Sequence, residues 1–234
     1  MSHESGSNRL EVPKASLGDR AHAIVRAALG AIPVGGQAAI ELFNALIMPP
    51  LVRRRDEWMH SVGESLARLA EDGRLKLEEL QKNETFIDLL VEATLAAMRT
   101  ADQEKRDALR NAIRNAAVGH APEETLQHMF IRWADELTPW HLRLLKFFQD
   151  PKAWATRHNH VFPLGGILKR LSDVVENAYP ELKGKGPFYD ALWRDLYQRG
   201  LVNTDALHTV RSGLLTSRLS EIGEQFLRFI DEGE

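Results

Sequence analysis

The stretch AALGAIPVGGQAAIELFNALIMPPLVRRRDEW, residues 27–58, contains one charged residue, Glu41, before it reaches three consecutive arginines at 53–55. A helix that crosses a membrane needs about 20 mostly apolar residues. Here the apolar run is interrupted by Pro33, by the glycines at 35–36 and then by Glu41. The stretch is therefore not expected to form a conventional transmembrane helix.

Helical spacing places Ile40, Phe43 and Ile47 on the inner face of a short helix, and Pro49-Pro50 is typical of the start of a further helix. The whole stretch then predicts the inner hairpin of a soluble helical domain. In this interpretation the arginines pair with acidic neighbours such as Glu64 or Glu71.

The same residues support a second interpretation. An apolar segment followed by cationic and aromatic residues is typical of a helix at a membrane surface. Arg53, Arg54, Arg55 and Trp58 are therefore the candidate contacts to a membrane or to a protein partner.

Composition limits the class of protein. The 234 residues are 44% hydrophobic and 27% charged, which is enough for a buried core. The net charge of -3 gives no general attraction to nucleic acid or anionic lipid, so such a partner needs a local patch. With no cysteine, disulfides, thiolate metal sites and a cysteine nucleophile are excluded.

Helical periodicity continues along most of the chain and predicts an all-α protein. Residues 1–14 are rich in Ser, Glu and Asn and predict a flexible arm. Residues 15–136 predict a domain of about six helices. Two of these begin at the expected caps Asn83 and Thr100, and Gly119 is expected to stop the second of them.

Residues 137–234 predict a winged-helix-like domain. Three helices precede two short apolar segments, HTV at 208–210 and GLLTSRL at 213–219, and a closing helix follows them. This order is typical of a winged helix whose two strands form a small β-hairpin.

The sequence offers little catalytic chemistry. Glu57 and His60 have the Glu-x-x-His spacing of di-iron bundles, but a second copy is missing. His158 and His160 lack an evident third ligand, and the Gly-Gly-Gln at 35–37 is expected to be a helix–helix turn. No hydrolase elbow, phosphate-binding loop or zinc-protease signature occurs. We expect no metal and no cofactor, and an enzyme only through a scattered site.

The predicted winged helix suggests that residues 137–234 bind DNA. Its candidate contacts are Arg194, Arg199, Arg211 and Arg218. Between residues 137 and 230 there are 13 Lys+Arg and 9 Asp+Glu, a surplus of four positive charges. Carboxylates on the expected groove-facing helix oppose the counterion release that drives DNA binding. DNA is therefore the less favoured partner.

The order of these features resembles the Abi-alpha family, bacterial helical proteins associated with abortive infection by phage. The resemblance rests on Pro50-Leu51 with Trp58, on residues 86–117, on FIRWADELTPWHLRLLKFF at 130–148 and on the closing RGLV and LTSRLSEIGEQFLRFI at 199–230. The arginine triplet and the longer LTSRLSEIG depart from the family pattern. The resemblance implies a cytoplasmic bacterial protein that acts at a membrane or on a partner during infection, and it carries over no catalytic residue.

Together these patterns favour a non-enzymatic interaction or regulatory protein, an effector or sensor of phage defence. Its expected location is the cytoplasm or the periphery of the inner membrane. A DNA-binding regulator that uses residues 137–234 is the first alternative, and an enzyme with a scattered site is the second.

Overall fold

The computed structural model describes residues 36–163, 168–209 and 212–232. The expected arm at 1–14, the first predicted helix and Arg211 lie outside the described residues. Within them the chain is helical and no strand is formed, so the all-α prediction is confirmed there. The helices are α1 Gly36–Glu71, α2 Leu77–Leu80, α3 Glu84–Arg99, α4 Gln103–Ala117, α5 Glu124–Glu136, α6 Pro139–Gln149, α7 Pro151–Arg157, α8 Leu171–Ala178, α9 Gly186–Gln198 and α10 Glu221–Ile230, with a 3₁₀ turn at Pro180–Leu182.

Side-chain caps set several of these boundaries. The Asn83 side chain accepts a hydrogen bond from the Phe86 amide at 3.1 Å, as the sequence predicts. At α4 the capping residue is Asp102, whose carboxylate accepts from the Lys105 amide at 3.0 Å, and the predicted cap Thr100 instead accepts from the Asp102 amide. Gly119 follows α4 with a φ of 76°, the left-handed conformation expected of a glycine stop.

The prediction of separate helices on either side of Pro49-Pro50 is wrong. Residues 36–71 form one helix that contains both prolines. A proline inside a helix removes one hydrogen bond to the carbonyl four residues earlier, yet it does not force the helix to end. The prolines here are exposed, where water can satisfy those carbonyls.

Residue contacts divide the chain into two compact units, Met1–Asp56 and Glu57–Glu234. The second unit contains a continuous hydrophobic core to which helices before and after residues 136–137 contribute. Phe130 of α5 packs edge-to-face against Phe226 of α10, with ring centroids 5.4 Å apart. The last helix of the chain is thus part of the same core as α5.

The β-hairpin expected between residues 208 and 219 is not formed by the described residues. One isolated antiparallel bridge joins Val202 to Leu219. The backbone of the expected second strand has other partners, since the Arg218 amide donates to the Phe148 carbonyl at 2.9 Å. The described residues therefore do not support a winged helix with a β-hairpin, although they do support the helices around it.

Candidate functional site

Residues 40–52 of α1, here called the apolar segment, carry large apolar side chains that water can reach. Ile40 is 60% exposed, Phe43 61% and Leu46 55%, and the other exposed members are Ile47, Met48, Leu51 and Val52. The prediction that Ile40, Phe43 and Ile47 face inward is therefore wrong. Exposed large apolar side chains that follow one another along a helix make this segment a candidate site of interaction with a protein or a membrane.

The three arginines follow the apolar segment directly on the same helix. Arg53 and Arg55 are exposed and Arg54 is half-buried. The Arg55 guanidinium donates two hydrogen bonds to one carboxylate oxygen of its neighbour Asp56, from Nε at 3.1 Å and from Nη2 at 2.9 Å. The charge of Arg55 is thus locally balanced by Asp56.

Glu64, one of the acidic partners predicted for the arginines, has other contacts. Its carboxylate accepts a hydrogen bond from Arg68 at 3.4 Å and lies 3.1 Å from the His60 imidazole. All three side chains lie one turn apart on α1. These are the i,i+4 pairs of an exposed helix face.

Trp58 is not available for contact with a partner or a membrane. Its side chain is 2% exposed, and the indole nitrogen donates a 3.0 Å hydrogen bond to the Thr94 hydroxyl. The prediction that placed Trp58 beside the arginines at a surface is corrected by this burial. Trp58 belongs to the core of the Glu57–Glu234 unit.

Two of the three candidate DNA contacts that lie among the described residues, Arg199 and Arg218, are bonded to other groups of the protein. Arg199 forms ion pairs with Glu136 at 2.7 Å and with Asp195 at 3.0 Å. Arg218 donates to the backbone carbonyl of Gly213 at 2.7 Å. Arg194 is exposed on α9, and Arg211 lies outside the described residues.

A cavity of about 720 Å³ lies between α4, α6, α7 and the end of α8, and it contains the histidine pair noted in the sequence. His158 donates from Nδ1 to the Trp154 carbonyl at 2.8 Å, and its ring stacks on the Trp154 indole. His160 contacts the Asn177 side-chain oxygen through Nε2 at 2.8 Å. Both histidines are therefore held by structural contacts.

Two other polar groups of the cavity, Arg143 and Glu104, are bonded to each other. Arg143 forms hydrogen bonds from Nε to both carboxylate oxygens of Glu104, at 3.0 and 3.1 Å. Burial raises the pKa of Tyr179 to about 12, against smaller opposing contributions from Trp154 and Arg143, so its phenol stays protonated at neutral pH. The described residues contain no cluster of three or more potential metal ligands.

Comparison with protein-family models, curated proteins and solved structures found no match to this chain. Among the described residues, no helix combines the length and the apolar character needed to cross a membrane. The candidate site is therefore defined by its own geometry, an exposed apolar segment that ends in arginines.

Proposed function

We propose that this chain is a non-enzymatic bacterial interaction protein that attaches to an anionic membrane surface through residues 40–55. The exposed apolar side chains directly before three arginines are the observation that supports this proposal. The resemblance to the Abi-alpha family makes phage defence the proposed setting.

Apolar burial supplies the first part of the attraction. Full transfer of one Leu, Ile or Phe side chain from water contributes about 1.5–3 kcal/mol. Phe43, Leu46 and Ile40 are each more than half exposed, so their transfer into the acyl boundary of a bilayer would be favourable.

The arginines favour a lipid surface over an uncharged protein groove. Each Lys or Arg close to an anionic leaflet contributes about 1 kcal/mol. The whole chain has a net charge of -3, which would weaken a general attraction to such a leaflet. A short cluster at 53–55 concentrates positive charge beside the apolar side chains that would enter the lipid.

Vesicle flotation tests the proposal. The wild-type chain should float with vesicles that contain phosphatidylglycerol and should bind less to pure phosphatidylcholine. Replacement of Arg53, Arg54 and Arg55 by Gln should reduce flotation about tenfold or more at physiological salt.

The matched control replaces three exposed cations of the other unit, Arg132, Lys183 and Arg194, by Gln. Both triple variants change the net charge by the same amount, so only the position of the charges differs. Equal loss of binding in the two variants, or absence of wild-type binding, would contradict the proposed attachment.

The proposed role in phage defence has a separate test. Expression in a susceptible bacterium should lower the plating efficiency of at least one phage in a broad panel. The arginine-to-glutamine triple variant should restore plating, whereas the control triple should not. If plating is unchanged with every phage, the proposed defence role is contradicted. The proposed membrane attachment is then tested by flotation alone.

A DNA-binding regulator is the second candidate, favoured by the order of α8, α9 and the Val202–Leu219 bridge. The ion pairs of Arg199 oppose it, because binding to phosphate would have to break them. A salt-dependent gel shift of duplex DNA that disappears after Arg194→Glu and Arg211→Glu would favour the regulator.

A further inference from the structure

Another cavity lies between the last turns of α1 and the side of α4, and four arginines line it. Its volume is about 450 Å³, within the range of cavities that hold small molecules. Arg110 and Arg114 are four residues apart, so they share one side of α4. Arg68 lies on α1, and Arg74 follows the end of that helix. Four guanidinium groups thus border one small volume, here called the arginine cavity.

Arg110 is held in place inside the arginine cavity. Its Nη1 donates a hydrogen bond to the Ser61 hydroxyl at 3.3 Å and forms an ion pair with Asp107 at 2.7 Å. Its side chain is 22% exposed, so the guanidinium is partly shielded from water and still accessible from the cavity. Ser65, one turn after Ser61 on α1, adds a second hydroxyl to the lining. A guanidinium that is already ordered loses little side-chain entropy when it binds an anion.

Three carboxylates also line the arginine cavity, which leaves a surplus of one positive charge. Glu64 is bonded to Arg68 at 3.4 Å, and Asp72 is exposed. Glu232 lies 3.6 Å from Nη2 of Arg110, and its side chain is 73% exposed. An exposed ion pair of this length contributes little to stability. Glu232 can therefore turn into water and leave Nη2 of Arg110 to another anion.

We propose that the arginine cavity binds the phosphate group of a small soluble molecule, and that this phosphate replaces Glu232 as the partner of Arg110. Arginine is suited to phosphate because its guanidinium donates two parallel hydrogen bonds. A phosphate monoester has a charge of about -1.5 to -2 at neutral pH, more than the single charge of the carboxylate that it replaces. Its oxygens can accept from the arginines of α1 and α4 together, whereas a carboxylate offers only two oxygens.

Phosphate binding at the arginine cavity is separate from the proposed membrane attachment. The lining contains no residue of 40–55, and all of it belongs to the Glu57–Glu234 unit. A failure of vesicle flotation would therefore leave the phosphate site unaffected, and the absence of phosphate binding would leave the attachment unaffected.

Isothermal titration calorimetry with inorganic pyrophosphate tests the site, at physiological salt and without added divalent metal. The wild-type chain should bind one pyrophosphate in a saturable manner. Arg110→Gln should weaken binding about tenfold or more, because it removes charge-assisted hydrogen bonds from the partly buried side of the cavity. Arg74→Gln, at an exposed position, should weaken binding about two- to fivefold. Arg132→Gln removes an exposed positive charge outside the cavity and should leave the affinity unchanged.

Replacement of Glu232 should have the opposite effect. Glu232→Gln removes the carboxylate that competes for Arg110, so it should strengthen pyrophosphate binding about two- to fivefold. Glu221→Gln makes the same chemical change at an exposed position outside the arginine cavity. Exposed charges at a distance are screened at physiological salt, so Glu221→Gln should leave the affinity unchanged. An anion that was attracted only by the general charge of the protein would respond equally to both changes.

Three results would overturn the phosphate site. They are the absence of saturable pyrophosphate binding, equal affinity in the wild type and Arg74→Gln, and equal affinity in Glu232→Gln and Glu221→Gln. Short-chain phosphatidic acid, below its micelle concentration, presents the same phosphate on a lipid. If it binds while pyrophosphate does not, the soluble ligand is contradicted. Circular dichroism checks the fold of Arg110→Gln, and if this variant unfolds, Arg74→Gln and Glu232→Gln decide the test.

Discussion

The indole Nε1 of Trp58 donates a 3.0 Å hydrogen bond to the hydroxyl oxygen of Thr94, and this bond joins α1 to α3. The two residues are 36 positions apart, and Trp58 is almost fully buried. A buried indole nitrogen needs an acceptor, because an unpaired donor retains its full desolvation cost. The Thr94 hydroxyl therefore fixes the position at which α1 packs on the core.

Trp58→Phe should lower the free energy of unfolding by about 1–3 kcal/mol, through the lost hydrogen bond and the smaller ring. Thr94→Val should also destabilise the protein, because it removes the acceptor of the Trp58 indole while the side-chain volume at position 94 hardly changes. The double variant should lose less stability than the sum of the two single variants. Urea denaturation of all four proteins measures the coupling, and strictly additive losses would contradict a specific Trp58–Thr94 bond.

His141 should make the free energy of unfolding depend on pH. Its Nδ1 accepts a hydrogen bond from the Thr138 amide at 3.1 Å, which requires that this nitrogen carry no proton. Burial lowers the pKa of His141 below 6.5, and the nearby Asp195 charge opposes this only in part. The folded state thus favours the neutral ring.

The unfolded chain therefore binds more protons than the folded chain as the pH falls below about 6.5. The stabilisation linked to His141 should be complete above that pH and should be lost as the pH falls through the lower folded-state pKa. His141→Gln should show a smaller decrease in stability between pH 7 and pH 5 than the wild type. His120→Gln, at an exposed position, is the matched control and should retain the wild-type decrease.

Asn115 connects α4 to the end of α10. Its amide nitrogen donates to the carbonyls of Phe229 at 2.9 Å, Asp231 at 3.0 Å and Arg228 at 3.1 Å. Carbonyls at the end of a helix lack intrahelical donors, so this side chain acts as a cap from another helix. Asn115→Leu should lower the free energy of unfolding by about 1–3 kcal/mol.

Asn111→Leu is the comparison for this prediction, because the Asn111 amide nitrogen contacts a single carbonyl of α10, that of Ile230 at 3.2 Å. Asn111→Leu should lower the free energy of unfolding less than Asn115→Leu does. Hydrogen exchange should show faster exchange of the last α10 amides in Asn115→Leu. Equal protection in the two variants would be evidence against the capping role.

Local chemistry explains which parts of the fold the sequence could predict. The Asn83 cap and the Gly119 stop depend on residues within one helical turn, and the structure contains both. The described residues do not form the predicted β-hairpin, and the Arg218 amide bonds instead to Phe148, a partner 70 positions away. Such a contact leaves no trace in the local alternation of apolar residues.

The candidate site was predicted only in part for a related reason. The spacing of Ile40, Phe43 and Ile47 indicates which side chains share a face, but it does not reveal what covers that face. The arginine triplet was visible directly, whereas the burial of Trp58 depends on Thr94 in another helix. Asn111 and Asn115, one turn apart on a buried face, were a signal that the sequence interpretation missed.

Gly223 and Gly63 give a final prediction in which the same substitution has opposite effects. A Cβ atom at Gly223 in α10 would lie 2.1 Å from the Leu201 carbonyl oxygen. That carbonyl accepts a hydrogen bond from the Ser220 amide at 3.1 Å, so it cannot move away without losing this bond. Gly223→Ala should destabilise by about 2–3 kcal/mol, although alanine is the better helix former by about 1 kcal/mol.

Gly63 lies inside α1 with no heavy atom within 4 Å of the position that a Cβ would occupy. Gly63→Ala should therefore raise the free energy of unfolding by about 0.5–1 kcal/mol, because only helix propensity changes. Urea denaturation of the two variants under one condition measures the contrast. If both alanines stabilise the protein, α10 does not approach residue 201 as closely as the packing requires, and the register of the last helix on the core would need revision.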